Sequence, residues 1–168
     1  MQNKKLSLVI KVLVLVIAVI GLAGLRQFLQ EKEDEAAEES GVPYAEMVED
    51  DHPLLVEFCN RYPERTILLA CAEDITNDGI QDIVVISQLD EDIASIALYT
   101  DENGVLVETP PIPAPRENQH IRFFNMDKLS EIETLITGEK NGQVGYAIYR
   151  IMDGELINLF GEGMEDCC

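Results

Sequence analysis

Basic residues are scarce in this sequence, and they are unevenly distributed. The 168 residues include 12 lysines and arginines against 32 aspartates and glutamates, which gives a formal net charge of -20. Four of the basic residues precede position 30 and every acidic residue follows it, so the remainder carries 8 basic and 32 acidic residues, or -24. A domain of that charge repels nucleic acid and anionic lipid. We therefore exclude both as binding partners and expect the acidic excess to serve cation binding or solubility.

Sequence motifs of common enzymes are missing as well. The chain contains no Gly-x-Ser-x-Gly motif, no phosphate-binding loop and no pair of carboxylates that stands out from the acidic background. Its two histidines, His52 and His120, have no cysteine or distinctive carboxylate at a recognisable ligand or catalytic spacing, which favours structural roles. Its four cysteines match neither a dense disulfide scaffold nor a Cys-x-x-Cys zinc site. These absences weigh against a self-contained hydrolase.

The N-terminal residues 1–30 contain an apolar run that is long enough to cross a membrane. Residues 6–25 are apolar apart from Ser7 and Lys11, and at a helical rise of about 1.5 Å per residue they span about 30 Å. Basic residues before the run and acidic residues after it favour a cytoplasmic N-terminus. The pattern predicts a single-pass anchor in the cell membrane, with the C-terminal domain outside the cytoplasm.

A cleaved signal peptide is the competing interpretation of this segment. Gly21-Leu22-Ala23 offers a small-x-small cleavage site, but it lies deep within the apolar run. The length of the run favours an uncleaved anchor. Residues 31–43 then form an acidic spacer without an apolar stripe.

The rest of the chain predicts a short helical segment followed by a β domain. Residues 44–65 have helical apolar spacing, with Pro53 at the start of a helix. From Thr66 onward, short β-rich runs alternate with turn signals, and the proline-rich residues 110–115 form a stiff connector. We predict a mainly β fold with a short N-terminal helical segment (α+β), built of two blade-like four-stranded antiparallel units after a single transmembrane helix. The predicted strands are 66–72, 82–88, 94–100 and 105–108 in the first unit and 120–125, 133–138, 144–151 and 155–160 in the second.

The two groups of strands form an internal repeat of about 50 residues. An offset of 51 aligns Asp82–Ser87 with Glu133–Gly138, and an offset of 50 aligns the hairpin turns Asn103-Gly104 and Asp153-Gly154. Two units are too few to close a propeller, which needs about four or more blades. The predicted units are residues 66–116 and 117–160, followed by a flexible tail, 161–168.

The stretch between the first two strands has oxygen-bearing side chains at alternating positions around Gly79. Such an arrangement suits a hard cation such as calcium, and it resembles the calcium loops of integrin-type and VCBS propeller blades. The alternative is an Asx-rich turn without an ion. The predicted calcium ligands are the side chains of Asp74, Thr76, Asp78 and Asp82 and the carbonyl oxygen of Ile80.

This loop departs from those it resembles, and its copy in the second unit departs further. Thr76 supplies a neutral oxygen where those loops have an Asx residue, which weakens binding, and Val85 stands where an EF-hand has a bidentate glutamate. The equivalent run from Asn125 to Glu133 has Leu129 in place of the fifth-position acid and Ser130 in place of the glycine. We expect a structural calcium ion in the first unit and none in the second.

Two internal cysteines, Cys59 and Cys71, lie 12 residues apart in the helical segment and the first strand. Both could be ordinary buried thiols. In an exported domain they could instead form a disulfide that joins the helix to the sheet. The sequence leaves these alternatives open.

The sequence ends in two adjacent cysteines, Cys167 and Cys168, after an acidic run. Adjacent cysteines form only a strained, easily reduced disulfide, whereas the reduced pair is a chelate for a soft metal. The neighbouring carboxylates disfavour the thiolate, although metal coordination still displaces its proton. An incidental pair of thiols is the alternative.

An N-terminal anchor, an acidic exported domain and the final pair Cys167-Cys168 together resemble the Cys-Cys-COOH (seleno)protein SaoC family. The resemblance implies a part in a selenocysteine-assisted organometal system that handles organomercury compounds, with transporter-like or organometal-processing proteins as partners. It also implies that these two cysteines carry the function. Selenocysteine can replace one of them in that family, whereas this chain has sulfur at both positions.

Three functional hypotheses follow from these features. The leading one is a membrane-anchored extracytoplasmic protein that binds or relays a soft metal or organometal through Cys167 and Cys168. The second is a thiol–disulfide redox partner that acts through the same pair. The third is a calcium-stabilised binding module whose final cysteines have no chemical role.

Overall fold

The computed structural model describes residues 42–126, 128 and 131–164 of the chain. From Tyr44 onward these residues belong to one compact unit. The predicted anchor, the spacer as far as Gly41, and both Cys167 and Cys168 lie outside the described residues. Within the described ranges, no helix is long and apolar enough to cross a membrane.

A proline begins the helix of the described part, α1 (Pro53–Arg61). Proline suits this position because its fixed φ matches helical backbone and its missing N–H has no helical partner there. Leu55 and Phe58, three residues apart, are buried on one side of the helix, which ends where the N–H of Tyr62 donates to the carbonyl of Phe58. The predicted helical segment is thus confirmed as one short helix.

Sheet 1 is an antiparallel sheet formed by five strands: β1 (Thr66–Glu73), β2 (Asp82–Leu89), β3 (Asp92–Thr100), β4 (Leu106–Glu108) and β5 (Ile112–Pro113). Their order is β1-β2-β3-β4, and β5 also pairs with β3. The central strand β2 is buried along its first six residues. Such a run is typical of a strand that is covered on both faces.

Two prolines interrupt the outer edge of sheet 1. Strands β4 and β5 pair with successive parts of β3, and between them Pro110 and Pro111 have no N–H to donate. Thr109 bridges the gap, because its N–H donates to the carbonyl of Ala97 (2.9 Å) and its Oγ1 accepts the N–H of Ala97 (3.1 Å). The segment predicted as a stiff connector therefore contains a short strand, and β4 and β5 share the fourth position of the sheet.

Sheet 2 is an antiparallel sheet formed by four strands: β6 (Glu117–Phe124), β7 (Glu133–Lys140), β8 (Gln143–Met152) and β9 (Glu155–Glu162). Its register repeats that of sheet 1 at a distance of 51 residues, since Ile83 pairs with Leu98 and Thr134 pairs with Tyr149. The same shift relates the β1–β2 pairs to the β6–β7 pairs. The prediction of two antiparallel sheets, each with four strand positions, is confirmed.

The two sheets share one apolar core. Val84 and Ala97 of sheet 1 belong to the same cluster of contacting side chains as Ile136 and Ala147 of sheet 2. The opposite face of sheet 1, which includes Val85, is covered by α1. The layers are therefore α1, sheet 1 and sheet 2, so that both faces of sheet 1 are covered and one face of sheet 2 is covered by sheet 1.

A short segment before α1 connects the edges of the two sheets. The N–H of Ala45 donates to the carbonyl of Ile121 on β6 (2.7 Å), and the N–H of Val48 donates to the carbonyl of Ala70 on β1 (2.8 Å). Both β1 and β6 are edge strands, and unpaired backbone groups at an edge attract other chains. The segment thus protects both edges on one side of the domain.

Replacing Thr109 with valine tests the bond that bridges the proline interruption. Thr109 is 2% exposed, and valine keeps its shape but leaves the N–H of Ala97 without an acceptor. We expect the free energy of unfolding, measured by urea denaturation, to fall by about 1–3 kcal/mol. Thr109→Ser keeps the hydroxyl and should recover most of the loss. Thr66→Val, at an exposed strand position, is the control; equal losses from T109V and T66V would contradict the assignment.

Candidate functional site

The loop between β1 and β2 folds around the carboxylate of Asp74. Its Oδ1 accepts the N–H of Asp78 (2.9 Å) and its Oδ2 accepts the N–H of Gly79 (2.9 Å). Asn77 and Gly79 have positive φ angles of 55° and 87°, a backbone region that glycine adopts without a steric cost. These bonds form the sharp turn that the sequence predicts at Gly79.

Ile75 holds this loop against the second sheet. Its side chain is buried in the shared core, and its carbonyl accepts the N–H of Ile132 (2.9 Å), which directly precedes β7. The loop is therefore part of the contact between the two sheets. A cation bound in the loop would stabilise that contact as well as the turn.

Asp82, the first residue of β2, is a buried carboxylate with only one of its two oxygens hydrogen-bonded. Oδ2 accepts bonds from the N–H and the Oγ1 of Thr76, both at 3.0 Å. Oδ1 has no hydrogen-bond partner, and the residue is 0% exposed. Burial raises the pKa of this carboxyl, with the bonds from Thr76 acting against the shift and the charges of Asp78 and Asp74 acting with it. An oxygen in such a place requires a proton or a cation as its partner.

The structure brings only some of the predicted calcium ligands together. Thr76 contacts Asp82, whereas both oxygens of Asp74 accept backbone N–H groups and Oδ1 of Asp78 accepts the N–H of Ile80 (2.7 Å). In the part of the chain that the structure describes, no group of three or more His, Cys, Asp or Glu side chains is spaced to hold a metal ion. Cation binding would therefore require Asp74 or Asp78 to turn towards Asp82.

Sheet 2 has an acidic residue at the position equivalent to Asp82, and there both oxygens are engaged. Glu133 begins β7 and is 1% exposed. Nη2 of Arg150 on β8 donates to its Oε1, and the N–H of Met126 donates to its Oε2 (2.8 Å). The buried carboxylate of sheet 2 is thus neutralised by a cation that belongs to the chain itself.

The counterpart of Arg150 in sheet 1 is Tyr99. The shared register puts Tyr99 beside Asp82 as Arg150 stands beside Glu133. The pKa of the Tyr99 phenol is raised by burial and by the charges of Asp101 and Asp82, so the ring stays neutral at pH 7. Sheet 1 therefore has no internal cation at the position where sheet 2 has one.

The pair of Glu133 and Arg150 was not predicted from the sequence. The signal that could have found it is the β7–β8 hairpin, since its Asn141-Gly142 turn sets residue 133 opposite residue 150. Of the run equivalent to the calcium loop, residues 127, 129 and 130 lie outside the described residues. The expected loss of binding through Leu129 and Ser130 therefore stays a prediction.

The two internal cysteines are free and lie on different sides of sheet 1. Cys71 is buried in the core between the sheets, whereas Cys59 is exposed on α1, which covers the other face. The candidate disulfide is not formed, because sheet 1 separates the two thiols. Burial raises the pKa of Cys71 to about 11, so this thiol is protonated and unreactive at pH 7.

Both histidines are engaged in contacts of a structural kind. Nε2 of His52 lies 3.1 Å from Oε1 of Gln81. Nδ1 of His120 lies 2.9 Å from the carbonyl oxygen of Asn118, and its ring stacks on Tyr44 at a centroid distance of 4.3 Å. None of these contacts involves a carboxylate or a thiol.

The chain matches no protein-family model, no curated protein and no solved structure. Its function is therefore argued from its own residues. The resemblances to the SaoC family and to the propeller calcium loops stay predictions.

Removing one member of the buried ion pair tests how much it stabilises the fold. Arg150→Met leaves the carboxylate of Glu133 without its cation and should lower the free energy of unfolding by about 3–5 kcal/mol. The double variant Glu133→Gln/Arg150→Met removes both charges and should recover much of that loss. Urea denaturation measures each value. Arg61→Met is the control, because Arg61 makes part-exposed ion pairs with Glu57 and Glu108 that contribute at most about 1 kcal/mol; similar losses from both single variants would refute the assignment.

Proposed function

We propose that this chain is a membrane-anchored extracytoplasmic protein whose adjacent cysteines, Cys167 and Cys168, bind or relay a soft metal or an organometal cation. The observation that carries the proposal is the adjacency of the two thiols at the end of an acidic domain. Thiolate sulfur is the ligand that soft metals prefer, and two neighbouring thiols form a chelate. By the family resemblance, the cargo is organomercury-like and the partners are transporter or organometal-processing proteins.

The other two cysteines of the chain do not compete for such a cargo. Cys71 is buried with a raised pKa, and Cys59 is exposed but lies on the far side of sheet 1 from Cys71. Neither can form a two-sulfur site with the other. A soft metal that is bound with the affinity of a chelate would therefore use Cys167 and Cys168.

The acidic residues around the pair favour ligand exchange over thiol–disulfide exchange. Glu162, Glu165 and Asp166 add negative charge, which disfavours the thiolate and slows its attack on a disulfide. A soft metal displaces the thiol protons when it binds and can then pass to another thiol. This electrostatic difference is the reason for preferring a metal relay to a redox partner.

Titration of the full chain with mercury(II) in the presence of a competing thiol tests the proposal. All measurements use a Cys59→Ser background, so that the exposed helix thiol does not contribute. Changing Cys168 to serine leaves one thiol of the adjacent pair, and affinity should fall by about 10²–10⁴-fold, the range expected when two linked binding events become one. Cys71→Ser is the control and should change affinity little. Equal affinity with and without Cys168 would sink the proposal.

A calcium-stabilised module is a second candidate function, and the unpartnered Oδ1 of Asp82 favours it. A hard cation at this oxygen would supply the charge that Arg150 supplies in sheet 2. Asp74, Thr76 and Asp78 carry further oxygen ligands of the hard type in the same loop. The contact of this loop with sheet 2 gives such an ion a structural role. The two candidates use different parts of the chain and are compatible.

Calcium should raise the melting temperature of the chain but not that of Asp82→Asn, which keeps the shape and removes the charge. A ligand at 100 times its dissociation constant adds about 2.7 kcal/mol of stability, which is several degrees in a domain of this size. Asp101→Asn, in the β3–β4 turn, should keep the response. Tyr99→Arg supplies an internal cation beside Asp82, as Arg150 does beside Glu133 in sheet 2. This variant should show no rise in melting temperature with calcium. An unmodified chain that melts at the same temperature with and without calcium would exclude the site.

A further inference from the structure

Three of the four edges of the two sheets are protected against pairing with another chain. The segment that contains Ala45 and Val48 bonds to the edge strands β6 and β1. The other edge of sheet 1 is formed by two short strands, β4 and β5, with Pro110 and Pro111 between them. Short strands and prolines at an edge prevent a further strand from pairing there.

Strand β9 forms the fourth edge, and it has neither of these protections. It runs for eight residues without a proline, and seven of the eight are exposed. Among the residues that the structure describes, its backbone bonds are those to β8. The N–H and carbonyl groups along its other side are therefore available, and an extended strand is the conformation that pairs with them.

The side chain of Phe160 on β9 lies on the face of sheet 2 that is turned away from sheet 1. Ala147 and Tyr149 on β8 belong to the shared core, so Ile148 between them faces outward, because side chains alternate along a strand. Phe160 pairs with Ile148 and faces the same way. Its side chain is 57% exposed.

A bulge in β9 adds Ile157 to the same face. The register between β8 and β9 shifts by one residue between these two positions, so that residues 157 and 160 point to the same side although they are three apart in sequence. Glu155 and Glu162 follow two residues further out at either end of the strand. The outward face of β9 is therefore acidic, apolar, apolar and acidic in order.

The charges next to this edge in the sequence are all negative. Arg150 is the last lysine or arginine of the chain, and it donates to the buried Glu133. Glu155 and Glu162 are exposed, and Asp153 adds an exposed negative charge in the turn before β9. A strand that pairs with this edge would therefore be favoured by positive charge at its two ends.

These charges disfavour a second copy of the chain as the occupant. Two antiparallel β9 strands that pair along all eight residues set Glu155 of each copy opposite Glu162 of the other, and parallel strands set each glutamate close to its own counterpart. Like charges at such positions destabilise pairing, and each chain carries a formal charge of -20. Charges that flank an apolar strand protect it against self-association.

We propose that the open edge of β9 binds an extended segment of a partner protein, which joins sheet 2 as a fifth strand. On its outward face that segment has two apolar residues between two lysines or arginines. The apolar side chains pack beside Ile157 and Phe160, and the basic ends pair with Glu155 and Glu162. Backbone bonds give such a contact its affinity, and the alternate side chains give it selectivity.

Fluorescence anisotropy with a labelled synthetic peptide tests the proposal on the full chain in detergent. The probe is Lys-Thr-Val-Thr-Val-Thr-Lys with blocked termini, which puts its lysines and valines on one side of an extended strand and its threonines on the other. We expect it to bind at least about tenfold more tightly than Glu-Thr-Val-Thr-Val-Thr-Glu, because the pairs at both ends change from attractive to repulsive.

Exchanging the charges on the protein tests where the peptide binds. Glu155→Lys/Glu162→Lys should reverse the preference between the two peptides. Glu64→Lys/Glu91→Lys is the matched control, because it changes the net charge equally at two exposed residues in the turns before β1 and β3, and it should keep the preference. Urea denaturation checks that both double variants fold.

Methylation of the peptide nitrogens distinguishes strand pairing from a contact of side chains alone, and it needs only the unmodified chain. An extended strand directs the N–H groups of its valines to one edge and those of its threonines to the other. An added strand pairs through one edge. Methylating two valine nitrogens or two threonine nitrogens should therefore weaken binding by about tenfold or more in one of the two peptides and little in the other.

Three results would overturn the proposal. One is a lysine peptide that does not bind at hundreds of micromolar. Another is a pair of methylated peptides that bind as well as the parent or that are weakened equally. The third is a control variant, Glu64→Lys/Glu91→Lys, that shifts the preference as much as the variant in β9, which would show attraction by net charge alone.

Discussion

Sheet 1 has apolar side chains on both of its faces, and the rest of the domain depends on covering them. Residues 82–87 of β2 are all buried, which requires one layer on each side of the sheet. The helix α1 covers one face and sheet 2 covers the other. Sheet 2 repeats the register of sheet 1, and among the described residues it has a sheet partner on one of its faces.

The repeat also sets an acidic residue at the start of the second strand of each sheet, in a place that water does not reach. A carboxylate so placed persists only with a proton or a cation beside it. Sheet 2 supplies Arg150 to Glu133 from the neighbouring strand, whereas sheet 1 offers Tyr99 to Asp82. One copy of the unit thus supplies a cation to its buried carboxylate, whereas in the other copy Oδ1 of Asp82 has no hydrogen-bond partner. That difference, more than the number of carboxylates, makes the first loop the candidate cation site.

Local preferences made much of this fold predictable from the sequence. The helix start at Pro53, the strand positions and the hairpin turns follow from backbone propensity and apolar spacing, which act over a few residues. Strand β5 was not predicted, because prolines conceal it and the side chain of Thr109 replaces a backbone bond. The ion pair of Glu133 with Arg150 was not predicted either, because it depends on the register between two strands. The separation of Cys59 from Cys71 depends on which face of the sheet the helix covers, and no local pattern encodes that choice.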